Sequence, residues 1–288
     1  MADISLTASM RSNLLSLQQT QSLMDTTQER LSTGKKVNSA IDNPSSYYTA
    51  QSLTNRASDL SSLLDSMGQA VQTIQAANEG IEAITEFASQ AKAIANSAND
   101  TSDVDSIENY MKQFDEILEQ IDGIAKDSGY KGVNLLEKDQ ELKVVFNEDR
   151  SSSLTVKSDD ASSEGLGLHA ATGAWTSEAE KGNATEFKTN GKADAGAYVF
   201  NGDKVYEVKK NYDGTTNAVD FNTLVADGSL VETDYKLNDD KSKAIEVTIS
   251  KDKINTSITE VEDAVSKLRN MASVFGNNYS IVENREEF

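Results

Sequence analysis

Leu53, Leu60, Met67, Ile74 and Ile81 recur every seven residues, and Ala57, Leu64, Val71 and Asn78 run between them four places behind. A seam held over about five heptads is the pattern of a long helix that buries one stripe against partner helices. A second seam lies at the far end of the chain, at Ile254, Ile258, Val261, Val265, Leu268, Ala272, Phe275 and Tyr279. Apolar stripes at opposite ends, with everything else inserted between them, predict a rod of antiparallel helices. Such a chain reads as a mechanical building block rather than a pocketed catalyst.

Composition narrows the chemistry. The 288 residues contain no Cys, one His and one Pro, with a formal net charge of −20. Disulfides and thiol chemistry are therefore excluded, and a single His cannot build the usual zinc sites. Nucleic-acid binding needs Lys/Arg clusters to displace counterions, and an acidic excess opposes it. It also opposes attraction to anionic lipid. No apolar run approaches ~18 residues, so no membrane-spanning segment is expected. The start, Met1-Ala-Asp-Ile-Ser-Leu-Thr, lacks the basic and apolar regions of a secretory signal peptide, so any export would use another route.

Residues 4–33 form a first amphipathic segment, with Met10, Leu14, Leu17, Met24 and Leu31 on one stripe and Gln21 and Gln28 between them. So polar a seam gains little from burial within a monomer and points to docking in an assembly. Gly34 suits the left-handed end of this helix. Asp42 or Asn43 can cap the next one, with Pro44 at its first position. That helix is expected over 44–98, roughly 80 Å long. After Asn78 and Ile81 the apolar positions become Ile84, Phe87, Ala91, Ile94 and Ala98, a three-residue step beside Gly80. Such a stammer predicts a bend or a change of packing partner. A third helix is expected over 104–127, capped by Asp103 or Thr101, with the stripe Ile107, Tyr110, Phe114, Ile117, Ile121 and Ile124.

The period then changes to two. Leu142, Val144 and Phe146, a turn at 147–151, then Leu154 and Val156 read as a β-hairpin. Tyr198–Phe200, Val205–Val208 and Ile245, Val247 and Ile249 add short strands, and Asn255 or Thr256 caps a last helix. The predicted fold class is α+β: a long antiparallel helical-bundle rod from the N- and C-terminal segments, with a β-hairpin and an inserted small β-rich domain. Its divisions are 1–43 (helix and connector, loosely docked), 44–168 with 253–288 (helical rod with hairpin), and 169–252 (outer β-rich domain). Residues 44–127 and 255–287 would bury most of the seam, so Leu60→Asp should disrupt the rod.

Catalytic and metal motifs are missing. His169 follows Gly-Leu-Gly-Leu with no second ligand and reads as an ordinary loop residue. Glu148/Asp149, Asp159/Asp160 and Asp239/Asp240 lack calcium-loop spacing and read as solvated charge. There is no nucleophile elbow and no phosphate or dinucleotide glycine loop. Trp175 reads as a packing residue of the inserted domain. No enzyme activity, cofactor or metal is expected.

The chain does resemble a family. Ser12-Asn-Leu-Leu-Ser-Leu, Arg30-Leu-Ser-Thr-Gly-Lys-Lys-Val-Asn-Ser-Ala-Ile-Asp-Asn-Pro, Asn55-Arg-Ala-Ser-Asp-Leu, Ile74-Gln-Ala-Ala-Asn-Glu-Gly-Ile and Tyr130-Lys-Gly-Val-Asn-Leu-Leu, taken in order, resemble bacterial flagellin. The Asp-Asn-Pro form followed by Tyr47 and Tyr48 is most similar to alphaproteobacterial flagellins. The likeness covers residues 1–150 and 253–285; the middle region matches nothing specific.

The resemblance implies a secreted, extracellular subunit of the flagellar filament that polymerises for motility. Residues 1 to about 40 would line an inner tube, and 44–127 with 255–285 would build the surrounding rod. The implied partners are other copies of the chain, hook-associated and cap proteins, and the flagellar type III export apparatus. The seam residues expected to serve assembly are Leu14, Leu17, Met24, Leu31, Leu53, Leu60, Leu64, Met67, Val71, Ile74, Ile81, Val261, Val265, Leu268 and Phe275. Many flagellins carry an Arg-rich stretch read by a vertebrate Toll-like receptor; Ser89 and Ala91 stand here for arginines and Lys92 for an acid, so weak or no activation is expected. The family continues past Asn284-Arg285 into further helices. Their absence here leads to the expectation of a truncated, assembly-defective chain that has lost its export-chaperone site. A hook–filament junction protein, or a surface-displayed binding module, is the alternative reading.

Overall fold

The computed structural model describes residues 8–287. The helices are α1 (Ala8–Thr33), α2 (Pro44–Asp100), α3 (Val104–Asp127), α4 (Ser163–Leu166), α5 (Phe221–Ala226) and α6 (Lys251–Glu287). The strands are β1 (Glu141–Val145), β2 (Ser153–Lys157), β3 (Thr176–Glu186), β4 (Lys192–Ala193), β5 (Tyr198–Asn201), β6 (Lys204–Val208), β7 (Tyr212–Asp213), β8 (Leu230–Glu232), β9 (Lys236–Leu237) and β10 (Lys243–Ile249). The α+β class with long helices is as the patterns predict. The chain divides into two compact units, Met1–Gly68 with Val145–Leu154 and Gln69–Val144 with Thr155–Phe288.

The first unit holds α1, the connector, the beginning of α2 and the tip of the β1–β2 hairpin. Gly34 ends α1 at φ 67°. Asn43 Oδ1 accepts from the Ser46 N–H and caps α2, while Asp42 accepts from the N–H groups of Asn38 and Ser39 and folds the connector. Within this unit Arg56 Nε lies 2.8 Å from Glu148 Oε1. No residue of α1 is buried.

In the second unit the helices pack by heptads, but not quite the ones expected. Along α2 in this unit, Ala70, Ile74, Ala77, Ile81, Ile84, Ala88, Ala91, Ala95 and Ala98 form a buried track in an unbroken alternation of threes and fours, with Val71, Thr73 and Gly80 buried beside it. The expected stammer is therefore absent, and α2 runs through Gly80 without interruption. The apparent shift arose from taking Asn78 as a seam position where Ala77 occupies it. In α6 the buried series is Ile254, Ser257, Val261, Ala264, Leu268, Met271, Phe275 and Val282. In α3 it is Ile107, Met111, Phe114, Leu118, Ile121 and Ala125. In α6 as in α3, one track matches the expectation and the other lies one residue away.

α2 and α6 run antiparallel. Lys92 meets Glu262 at 2.7 Å, and one heptad further on Asn99 Nδ2 donates to Asn255 Oδ1 at 3.1 Å. Lys251 Nζ donates to the carbonyls of Ala98, Asn99 and Thr101, placing a cation at the negative end of the α2 dipole. α6 begins at Lys251, four residues before the expected cap. Thr256 is not a cap because its hydroxyl donates back to the Asp252 carbonyl inside the helix.

After the hairpin the chain runs along α3 as a strap. Ser163 N–H donates to Asp122, Ala171 N–H to Asp115, and Thr176 reaches Met111. Trp175 belongs to this strap, its ring tilted against Phe114 with centroids 5.1 Å apart and its indole N–H donated to Ser257. It thus packs into the helices, not the inserted domain as expected. A bulky flat ring next to two helices buries more apolar area there than a polar strand could offer.

The sheet order is β8-β6-β5-β3-β10-β9. β8 and β9 lie at opposite edges, yet only Thr233–Tyr235 joins them. Six flat strands would hold their edges about 24 Å apart, whereas such a link reaches about 14 Å. The sheet must therefore curl until its edges approach. Val205, Ala184 and Ala244 fill the inside with Tyr198, Phe200, Tyr235 and Leu237 around them. Val199, Tyr206, Val208, Tyr212, Leu224 and Leu230 form a separate cluster that α5 helps to cover.

Candidate assembly surface

The structure sorts the expected seam residues into two groups. Ile74, Ile81, Val261, Leu268 and Phe275 are buried in the second unit, with Val71 at the margin of burial. Val265 is only half-buried, since Ala264 takes the core position. Met67 closes the first unit as a buried residue. The remaining residues are open. Leu14, Leu17, Met24 and Leu31 stand exposed along α1, Leu31 at 83 %. Leu53, Leu60 and Leu64 are 60 %, 43 % and 46 % exposed. The expected burial of most of the α2 seam thus fails for its first part. Within the first unit, α1 likewise leaves its own apolar residues exposed.

These exposed leucines share one face by heptad spacing, and Met10, Leu15, Leu23 and Tyr48 add to the apolar surface. Each large aliphatic side chain transferred out of water stabilises a contact by roughly 1.5–3 kcal/mol, so an exposed apolar stripe favours being covered. Among the described residues there is no group of three or more His, Cys, Asp or Glu able to hold a metal ion. His169 Nδ1 lies 3.0 Å from Glu260 Oε1 and stays largely in solvent. No described helix is long and apolar enough to cross a membrane.

The helical segments are similar to those of known proteins. The profile of the bacterial flagellin N-terminal helical region matches residues 4–141. Flagellin FljK of Caulobacter vibrioides is 32% identical over 157 residues, 54% of this chain and 57% of its own. Flagellin FljO of the same organism is 31% identical over 170 residues, covering 58% and 62%. Over its N-terminal half the chain is similar to flagellins. A Shigella flexneri flagellin is 29% identical over 222 residues, 74% of this chain and 38% of its own length. The chain spans less than two thirds of the length of these flagellins. The crystal structure of Bacillus cereus flagellin covers 77% of this chain and 86% of its own at 11% identity and TM-score 0.44, too loose a likeness to place residues.

Two features of the flagellin-matched region gain a physical account. Gly80 lies where α2 meets the end of α3, and a Cβ there would stand 2.2 Å from Ser128 Oγ. Asn134, in the Tyr130–Leu136 motif, donates to the carbonyls of Ala125 and Lys126 and accepts from the Leu136 N–H. It thereby closes the C-terminal end of α3, a role that no local propensity announces. Of the positions likened to the receptor-read stretch, Ala91 is fully buried, Ser89 donates to the Thr85 carbonyl, and Lys92 is held by Glu262.

Proposed function

We propose that this chain is a structural subunit of the bacterial flagellar filament, secreted and assembled outside the cell. It acts by stacking copies through the apolar face of α1 and the first part of α2. The observation that carries the proposal is the exposed heptad Leu53, Leu60 and Leu64, which continues the buried seam of the same helix. The likeness of residues 4–141 to the flagellin N-terminal helical region supports it. Its work is mechanical: neighbouring copies exclude water from faces that a single copy leaves wet. Leu14, Leu17, Met24 and Leu31 take part in the same contacts.

The deciding experiment expresses the native gene, with Leu60→Asp, in a strain lacking its own flagellin. Because Leu60 is exposed, the isolated variant should melt within about 0.5 kcal/mol of the parent, while electron microscopy shows no long filaments. Normal filaments from the variant would refute the assignment of the face. Long filaments from the parent also separate this role from a hook–filament junction protein, which caps an assembly without propagating it. Export through the flagellar apparatus, contacts with hook-associated and cap proteins, and weak Toll-like receptor activation belong to the same proposal. The buried Ala91 supports the last, and a receptor reporter assay with purified protein tests it.

A further inference from the structure

The curled sheet has an edge that its own strands leave incomplete. β9 pairs with β10 only at Ala244 and Ile245, whereas β10 stays in register with β3 as far as Ile249. Main-chain groups alternate sides along an antiparallel strand. The Asn238 N–H donates to the Lys243 carbonyl, so Lys243 faces β9; the Ser250 N–H donates to the Trp175 carbonyl, so Ser250 faces the β3 side. Alternation between these fixed points turns the N–H and C=O groups of Val247 and Ile249 outward, beyond the end of β9. Among the described residues no strand meets them.

Along this bare edge runs a groove of about 1210 Å³, bounded by the first turn of α3 and the 233–241 segment. Tyr235, Leu237 and Val104 give it apolar walls, and Asp103, Asp234, Asp239 and Glu246 make its rim acidic. Its lysines are already engaged. Lys236 is held by Asp105 and Glu108, Lys204 by Glu232, and Lys241 lies nearest Asp203. Among the described residues no cation is ion-paired with Asp234 or Asp239.

We propose that this edge accepts an extended, basic segment of another protein as an added strand. Val247 and Ile249 supply the main-chain hydrogen bonds, and Asp234 and Asp239 meet its lysine or arginine side chains. An acidic segment would be repelled by the same rim.

The test uses the full chain, isotope-labelled, with a blocked peptide of alternating Lys and Val as probe and its Glu/Val counterpart as control. The basic peptide should slow hydrogen exchange at the Val247 and Ile249 amides about tenfold, and added salt should weaken its binding. Val247→Pro removes an N–H that β3 does not use, a tolerated change at an open edge, and should weaken binding about tenfold. Asp234→Lys with Asp239→Lys should weaken it without touching the strand. Equal binding of the acidic peptide, indifference to both variants, no amide protection at saturation, or sedimentation showing copies of the chain joined through this edge would each overturn the proposal.

Discussion

Trp175 Nε1 donates to Ser257 Oγ at 2.9 Å, and both residues are buried. This explains a serine in the core track of α6: it is the acceptor for the indole N–H. Ser257→Ala leaves that donor unpaired, at a cost of about 1–3 kcal/mol, more than the few tenths gained in helix propensity. Trp175 is the single Trp, so urea unfolding followed by its fluorescence reports the site directly. The midpoint should fall; an unchanged midpoint would mean that the bond contributes nothing.

Gly80→Ala makes the opposite trade. Alanine favours the helix by about 1 kcal/mol, but the new methyl group would stand 2.2 Å from Ser128 Oγ and 2.8 Å from Leu136 Cδ1. Overpacking of this kind costs about 1–3 kcal/mol. Calorimetry should show a lower Tm, partly restored when Ser128→Gly is added. A raised Tm for the single variant would show that the contact yields freely.

Asn134→Ala removes the side chain that closes α3. Two carbonyls and the Leu136 N–H lose their partner in a buried setting. A loss of about 2–4 kcal/mol is expected, with hydrogen exchange fastest over the last turn of α3 and at Leu136. Uniform change along the chain would argue against this local role.

Asp103 caps α3 by accepting from the Ser106 hydroxyl and N–H, which hold its carboxyl below the ordinary value of 3.8. A carboxylate depressed by folding stabilises fully above the unfolded value, and that stabilisation fades as pH falls through it toward the folded one. Asp103→Ala should therefore lower Tm at pH 7, and the gap from the parent should close below about pH 4. A gap that persists in acid would assign the effect to packing instead of charge.

Much of this architecture was legible because heptads and alternating strands are simple periods. Apolar size alone does not mark the core track, because close helix packing also seats small or flexible residues at alternate positions. Ala77, Ala264, Met111 and Leu118 are buried, while Ile117, Ile124 and Val265 sit half-buried on the shoulders. β3 was not recognised because Thr176–Glu186 is almost wholly polar, and only its partners make it a strand. Periodicity marked Leu53, Leu60 and Leu64 as a seam, yet a repeat does not tell which surface will cover it. The bare edge at Val247 and Ile249 was equally hidden, since it depends on where β9 stops.

The hydrogen bond from the Ser250 N–H to the Trp175 carbonyl, 2.8 Å long, joins the two places where the main chain leaves the helices and returns to them. Everything between departs and comes back through one doorway. Evolution can therefore swap, lengthen or shrink that excursion while the helical frame on either side keeps its spacing. A grafted peptide or epitope placed there would inherit the same indifference.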